Sequence, residues 1–357
     1  MDLPACPAGN TTGAYHVMKN SVNMRVIGQA LGVSAVTVSK ALAGMNGVSD
    51  AMRERIVQKA QELGYRYDLA IKGFKDSVGD VGILVPDHFL GPGNSFYASL
   101  TKKLVQQLSE RKCYGVLGIL TEQEEHDCTY PPILSGGRVN GLVILGQVNR
   151  DYIRMLEDVG TGVPYICLDF YDERSNADAV VSDGLYGSYR LTSHLIHQGH
   201  TRIGFVGSIK ATSSIMDRYL GYYKSMLQHD LPIEAGWLVP DRDEHGNYTP
   251  FPLPDPLPTA FVCNCDQLAI NFIRRLQAMG LRVPEDVSVV GFDDYVDAAN
   301  VAPAITTFSV DQNALAREAA MMIISKMQGS AERKGRVVIS GRIVLRDSVK
   351  DLRAAAR

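Results

Sequence analysis

From residue 80 onward, short β-branched apolar runs alternate with amphipathic stretches, and no other feature narrows the possible folds so sharply. The runs are DVGILVP, YGVLGIL, VNGLVILG, VPYICLD, ADAVVSD, RIGFVGS, TAFVCNC and VSVVGFDD, apolar on both faces, which suits parallel strands buried on both sides. Between them lie helical patterns such as SLTKKLVQQLSERK, LYGSYRLTSHLIHQG and CDQLAINFIRRLQAMG, several closing at a glycine that can cap a helix. Strand and helix in alternation require crossover connections, hence an α/β fold. Eight runs exceed one open sheet, so the pattern predicts two doubly wound parallel-sheet lobes. The polar stretch inside VPYICLDFYDERSNADAVVSD is expected to cross between them. RDEHGNYTPFPLPDPLPTA, rich in proline and acid, is expected to be a loop on one lobe.

The 357 residues, 45% hydrophobic and 21% charged, are ordinary for a modular globular chain, and no run of eighteen apolar residues is present to cross a bilayer. The first residues lack the basic and apolar regions of a secretory signal, so a cytoplasmic protein with a loose N-terminal tail is expected. Cys6, Cys113, Cys128, Cys167, Cys263 and Cys265 are therefore expected as free thiols. Cys263-x-Cys265 lacks a second Cys or His pair at zinc spacing and reads as buried strand, so neither metal nor cofactor is expected. Charge is uneven. Residues 1–75 hold nine Lys and Arg against five Asp and Glu, a net +4, and the remainder holds 27 against 34, a net −7. Only the head is built to meet an anionic partner.

Residues 24–60 contain no strand run but three close helical patterns. In MRVIGQAL, Met24, Ile27 and Leu31 form an apolar stripe; Gly32 breaks the helix; Ser34 caps SAVTVSKALAG, whose Val38, Ala41 and Leu42 turn inward. SDAMRERIVQKAQELGY adds a third helix, with Arg53 and Glu54 on its outer face. This spacing predicts a helix-turn-helix. Its free face carries Ala35, Val36, Thr37, Ser39 and Lys40, small and hydroxyl groups that let a backbone approach a duplex, with Lys40 reaching a guanine edge or a phosphate. The alternative is a plain helical hairpin in which Ser and Thr serve only as caps.

With these residues in place, the chain resembles the LacI/GalR family of transcriptional regulators from residue 22 to about 349. The head matches in ALGVSAVTVSKALAG and VSDAMRERIVQKAQELGY; the body matches in Asp183-x-x-x-Gly187, HLIHQGHTRIGFVG, the arginine of MDRYLGYYKSM and VPEDVSVVGFDD. The resemblance implies a homodimeric repressor with a periplasmic-binding-protein-like body. It places base reading at Ala35, Val36 and Lys40 and phosphate contact at Ser34, Thr37 and Ser39. Ala35 and Val36 replace the long polar residues of the lac branch and offer only apolar contact, such as to a thymine methyl. The hinge falls on YRYDLAIKGFK, with Phe74 where relatives carry a minor-groove leucine wedge, Tyr67 in place of a proline, and Gly73 costing about 1 kcal/mol of helix propensity. Phe74 packing on the body is the alternative. The implied organisation is a disordered tail over 1–21, the helix-turn-helix domain over 22–66, a hinge over 67–78, the two-lobed core over 79–349 and a C-terminal tail over 350–357. The stretch after Ser348, VKDLRAAAR, carries no heptads, so a dimer is expected and not a tetramer.

Open α/β sheets bind ligands at the carboxyl ends of their strands, where this chain has Asp87, Phe96, Tyr97, Asp169, Asp266 and Asp293. Carboxylates, aromatics and an arginine suit a polyhydroxyl ligand. The resemblance gives the effector positions as Phe96, Tyr97, Asp169, Arg218 and Asp293, with Cys265 where the lac branch has an asparagine. For Arg218 the alternative is a surface ion pair on its helix. His194, His197 and His200 read as a solvated helix end, and no nucleophile or dinucleotide motif follows a strand, so catalysis is not expected. The competing function is a sugar-binding receptor without a regulatory role on DNA.

Overall fold

The structure, a computed structural model, describes residues 24–42, 47–63, 79–91, 95–135, 137–242, 249, 253–294 and 296–353. The hinge segment with Phe74 and the N-terminal tail lie outside the described residues. The chain divides into two compact units, one up to residue 76 and one from residue 77.

The first unit holds α1 (Met24–Leu31), α2 (Ala35–Leu42) and α3 (Asp50–Glu62). Ile27, Val38, Ala41, Ile56 and Ala60 make its small core, with Leu31, Val33, Met52 and Val57 packed around it. The turn between α1 and α2 depends on two glycines. Gly32 takes φ +69°, and a Cβ on Gly28 would stand 2.5 Å from the Val33 carbonyl oxygen, so only glycine lets the turn fold back over α1. Ser34 caps α2, its Oγ accepting the Thr37 N–H at 3.1 Å. Arg53, expected on the outer face, is half-buried and donates from Nη1 to the Ala41 carbonyl at 2.7 Å, tying the last turn of α2 to α3. An orphan carbonyl at a helix end outweighs the hydration of this arginine.

The second unit carries two parallel sheets, and all eight apolar runs become strands. The first sheet comprises β1 (Gly79–Pro86), β2 (Cys113–Leu120), β3 (Gly141–Leu145), β4 (Tyr165–Leu168), β5 (Asp178–Ser182) and β11 (Arg336–Ile339), in the order β11-β5-β4-β3-β1-β2. The second comprises β6 (Ile203–Val206), β7 (Leu238–Val239), β8 (Ala260–Cys263) and β9 (Ser288–Val290), in the order β7-β6-β8-β9. An antiparallel pair, β10 (Thr307–Val310) and β12 (Gly341–Val344), completes the unit. The helices are α4 (Ser95–Ser109), the short α5 (Glu122–His126), α6 (Arg150–Val159), α7 (Gly184–His197), α8 (Ser213–Gln228), α9 (Asp266–Ala278) and α10 (Gln312–Met327). The chain passes between the lobes at 182–184, 310–312 and 339–341.

Four expectations need correction. The segment 169–177 does not cross between sheets: β4 and β5 are parallel neighbours in one sheet, joined by a helix-free loop, and the first passage lies just beyond β5. A polar stretch signals departure from a sheet without saying whether the chain returns to it. The run YGVLGIL is not buried on both faces, because β2 is an edge strand with Tyr114, Val116, Leu117 and Ile119 exposed. His200 is buried, paired through Nδ1 with the Thr259 hydroxyl at 3.0 Å and through Nε2 with the Lys350 carbonyl at 3.2 Å. The same contact anchors residues 350–353, expected as a tail, where the Leu352 N–H also donates to the Gln198 carbonyl at 2.8 Å. Strands β7, β10, β11 and β12 are too short or too polar to stand out as apolar runs.

Gly28→Ala should loosen the head by about 1–3 kcal/mol, because the new methyl cannot avoid a backbone oxygen. Hydrogen exchange on the intact chain should then quicken at the α1 and α2 amides and not in the body; unchanged protection in α1 would contradict the tight turn.

Candidate functional site

Two surfaces emerge, one on each unit. On the head, Val36 is 63% exposed, Lys40 and Ser34 are exposed, and Ala35 and Thr37 are half-buried, so the predicted face of α2 is free. The Ser34 and Thr37 hydroxyls stand 2.9 Å apart while Ser34 caps the helix, which presents them as one small polar patch beside the apolar Val36. Ser39 lies in α2, and its side chain lies outside the described residues.

On the body, the strand ends converge from both lobes. In the first lobe Asp169 follows β4 with φ +67°, a conformation that costs a non-glycine residue about 1–3 kcal/mol and persists only where surroundings enforce it. Its carboxylate accepts the Tyr97 hydroxyl at 2.9 Å and the Ser182 hydroxyl at 3.4 Å. Tyr97, on the first turn of α4, is braced by Phe89 at 4.3 Å between ring centroids and meets Phe96 edge-on at 5.3 Å. In the second lobe Arg218 projects from α8, 5% exposed, and donates from Nη1 to the Asn264 carbonyl at 2.6 Å and from Nη2 to Asp293 at 3.1 Å. Its guanidinium lies 4.1 Å from the centre of the Phe292 ring. Asp293, the partner carboxylate, also sits at positive φ, +107°.

Burial dominates the electrostatics. It raises the Asp169 carboxyl above its usual range against the pull of Arg218, and it pushes Asp293 up to about 7 despite the same arginine. Burial works against charge on Arg218, but Asp293 and Asp169 outweigh it and hold the guanidinium charged. Cys265, which feels both Asp293 and Arg218, is lifted by burial to about 12 and is a neutral thiol. One cation thus stands among two carboxylates and neutral donors. The Arg218 Nε is buried with no hydrogen-bond partner among the described residues.

The predicted set Tyr97, Asp169, Arg218, Cys265 and Asp293 therefore belongs to one cluster, with Phe96 against Tyr97. Arg218 is no surface ion pair. Asp87 and Asp266 do not join. Asp87 opens a short 3-10 turn after β1, and Asp266 is fully buried, accepting the Thr307 hydroxyl at 2.7 Å where it locks α9 against β10. Sequence reasoning missed Phe292, Asn264 and Gln147. Gln147 follows β3, as the rule on strand ends would have indicated, and its Oε1 accepts both the Ser213 N–H at 3.0 Å and its hydroxyl at 3.1 Å, linking the lobes. Tyr171 adds a second link, donating to Asp217 at 2.9 Å. Among the described residues no group of three or more His, Cys, Asp or Glu is placed to hold a metal ion, and no helix is long and apolar enough to cross a membrane.

A three-helix head joined to a two-lobed α/β body with a polar cluster between the lobes defines a ligand-sensing DNA-binding regulator. Comparison with known proteins agrees. The model of bacterial regulatory proteins of the lacI family matches residues 24–68, and that of the periplasmic binding protein-like domain matches residues 192–349. The transcriptional repressor PurR of Vibrio parahaemolyticus is 26% identical over 341 residues, 91% of this chain and 98% of its own length. Among solved structures, the CelR regulator in complex with cellobiose is 23% identical with a TM-score of 0.65, over 92% of this chain and 100% of its own. The lac repressor dimer bound to operator and the anti-inducer ONPF is 22% identical with a TM-score of 0.63, over 93% and 100%. The chain belongs to the LacI family of transcriptional regulators.

The raised Asp293 carboxyl has a measurable consequence. The folded state holds its proton from the ordinary 3.8 up to about 7, where the unfolded state has lost it. The group therefore costs the native state stability as pH rises through that window. Wild type should lose stability relative to Asp293→Asn between pH 4 and about 7, seen as a growing gap between their melting temperatures; a constant gap would contradict the shift.

Proposed function

We propose that this regulator binds operator DNA through α2 as a homodimer, acts in the cytoplasm as a repressor, and is controlled by a small sugar-like effector held between the lobes. The domain limits assigned to that reading are 22–66 for the head, 67–78 for the hinge and 79–349 for the core. Ala35, Val36 and Lys40 face base edges, Ser34, Thr37 and Ser39 meet phosphates, and Phe74 wedges into the minor groove from the hinge. Phe96, Tyr97, Asp169, Arg218, Cys265 and Asp293 hold the effector.

The observation that carries the effector reading is the buried Arg218, gripped by Asp293 and Asn264 with its Nε unsatisfied, opposite an Asp169 held at positive φ. Two carboxylates that accept, a guanidinium that donates and aromatic rings beside them suit vicinal hydroxyls better than an apolar ligand. The cellobiose held by CelR belongs to the same chemistry. Support for a dimer comes from β2. Its exposed Tyr114, Val116, Leu117 and Ile119 make an apolar edge that a second copy would cover about a twofold axis, and the lac repressor is itself described as a dimer. Control then follows from differential affinity, the effector favouring one angle between the lobes.

Lys40→Ala should weaken operator binding by about 1–3 kcal/mol while leaving affinity for random DNA less affected, measured by titration at fixed salt. An equal loss on both would reduce Lys40 to a phosphate contact. Arg218→Gln should abolish the response of operator binding to a sugar found by thermal shift, with basal DNA affinity retained; a surviving response would remove the cleft from the mechanism. Leu117→Lys together with Ile119→Lys should shift sedimentation from dimer to monomer, and a persisting dimer would place the interface elsewhere.

A further inference from the structure

Beside the Arg218–Asp293 pair lies a cavity of about 720 Å³ that shares Phe96 and Asp293 with the sugar-binding cluster and extends beyond it. One wall is α4, where Phe96, Ser99 and Lys103 fall at spacings of three and four on a single stripe of the helix. Ser99 Oγ donates to Gln312 Oε1 at 2.7 Å, which fixes α4 against the first turn of α10. The opposite wall is the antiparallel pair β10–β12, whose register sets Arg342 across from Ser309. Gly341 keeps these strands close, since a Cβ there would fall 2.2 Å from the Ser309 carbonyl oxygen.

Charge in this cavity is sorted. Its acids are engaged: Asp293 by Arg218 at 3.1 Å, Asp294 by Arg346 at 2.6 Å, and Asp311 by the Ala314 N–H at 2.9 Å, capping α10. Its two remaining cations, Lys103 and Arg342, have neither an ion pair nor a side-chain hydrogen bond among the described residues. The half-buried Lys103 and the exposed Arg342 thus offer donors on both sides of a space that opens on the proposed sugar site through Phe96 and Asp293.

We propose that this cavity is a second subsite of the effector cleft and takes an anionic substituent, phosphate or carboxylate, on the sugar whose hydroxyls meet Asp169, Arg218 and Asp293. The inference rests on the sugar-effector reading and narrows it to acidic sugars. A planar guanidinium grips two oxygens of either group, and a lysine supplies the second charge from across the cavity. A neutral sugar leaves both cations unused. The carboxylates of the inner cluster, which would repel an anion, keep the acidic group at the outer end and so orient the ligand.

Calorimetry on the full chain decides it, using neutral aldoses, their uronates and their terminal phosphates as matched sets, with inorganic phosphate alone as a control. For the sugar that binds, an acidic form should bind at least about tenfold tighter than its neutral parent, as expected for charge-assisted hydrogen bonds, and the gap should narrow as salt rises. The tighter of uronate and phosphate identifies the group. Lys103→Met with Arg342→Met should erase that preference and leave the affinity of the neutral parent within about twofold, since neither side chain touches the inner cluster. The salt dependence of the unsubstituted protein gives the same answer without any variant. Equal binding of neutral and acidic forms, or a preference that survives the double substitution, overturns the subsite and leaves the effector cleft standing. Binding of no carbohydrate in any set overturns both.

Discussion

The body of this regulator is organised around one buried cation. Arg218 is charged in a nearly water-free position, and three neighbours make that tolerable: the Asp293 carboxylate, the Asn264 carbonyl and the face of Phe292. They tie α8, which supplies Arg218, to two other parts of the second lobe: the turn before α9, which supplies Asn264, and the turn after β9, which supplies Phe292 and Asp293. A buried ion pair of this kind adds little net stability, because desolvation offsets the Coulomb attraction, but losing one partner is costly. The arrangement thus fixes geometry more than it strengthens the fold. A guanidinium held by two of its donors and by an aromatic face can move little, which suits the proposed role of recognising a ligand without first being ordered by it.

The same cation links the lobes electrically. Asp169 belongs to the first lobe and has no direct bond to Arg218, yet Arg218 is the main influence opposing its burial. Direct hydrogen bonds across the lobes run instead through Gln147 to Ser213 and through Tyr171 to Asp217, with Arg336 stacked 4.4 Å over the Tyr171 ring. These links join β3 and the loop after β4 to the first turns of α8, the helix that carries Arg218. A ligand inserted between Asp169 and Arg218, as proposed, would therefore change the balance at the base of a helix already fastened to both lobes. A change in lobe angle needs no longer pathway than this.

Much of this architecture was legible in the sequence, and the errors share a cause. Apolar runs announce strands because burial on two faces demands them, so eight runs gave eight strands; order within a sheet depends on connections that carry no apolar signal, so the loop from Asp169 to Ala177 was misread as a passage between sheets. The same limit hid the edge position of β2, whose composition matches that of a central strand although half its side chains are uncovered. In the head, Arg53 looked like a surface charge because helical periodicity places a residue on a face but says nothing of a carbonyl waiting on a neighbouring helix. His200 was misplaced for a related reason: its partners, Thr259 and Lys350, lie far from it along the chain.

The strand-end rule found the buried cluster around Arg218 and also gathered carboxylates that do other work, and the difference between them is physical. Asp266 and Asp169 are both buried at the end of a strand, but Asp266 sits where a Cβ on Gly291 would collide with its oxygen at 2.0 Å, takes the Thr307 hydroxyl and locks three elements together. Asp178 is likewise fixed, by Lys326 and the Gly335 N–H. Thr307 and Lys326 are side chains too, but Asp266 is also wedged against Gly291 and Asp178 is also held by a backbone N–H, whereas Asp169 and Asp293 sit on backbone at positive φ and the groups they accept, Tyr97, Ser182 and Arg218, are all side chains. Side-chain donors can be redirected toward a ligand at the cost of a rotamer, whereas backbone donors and packed glycines cannot move without unfolding their element. A carboxylate on strained backbone with mobile donors is prepared to exchange partners, and a carboxylate wedged between packed elements is not. Position along the strand alone does not separate the two; what each oxygen already touches does.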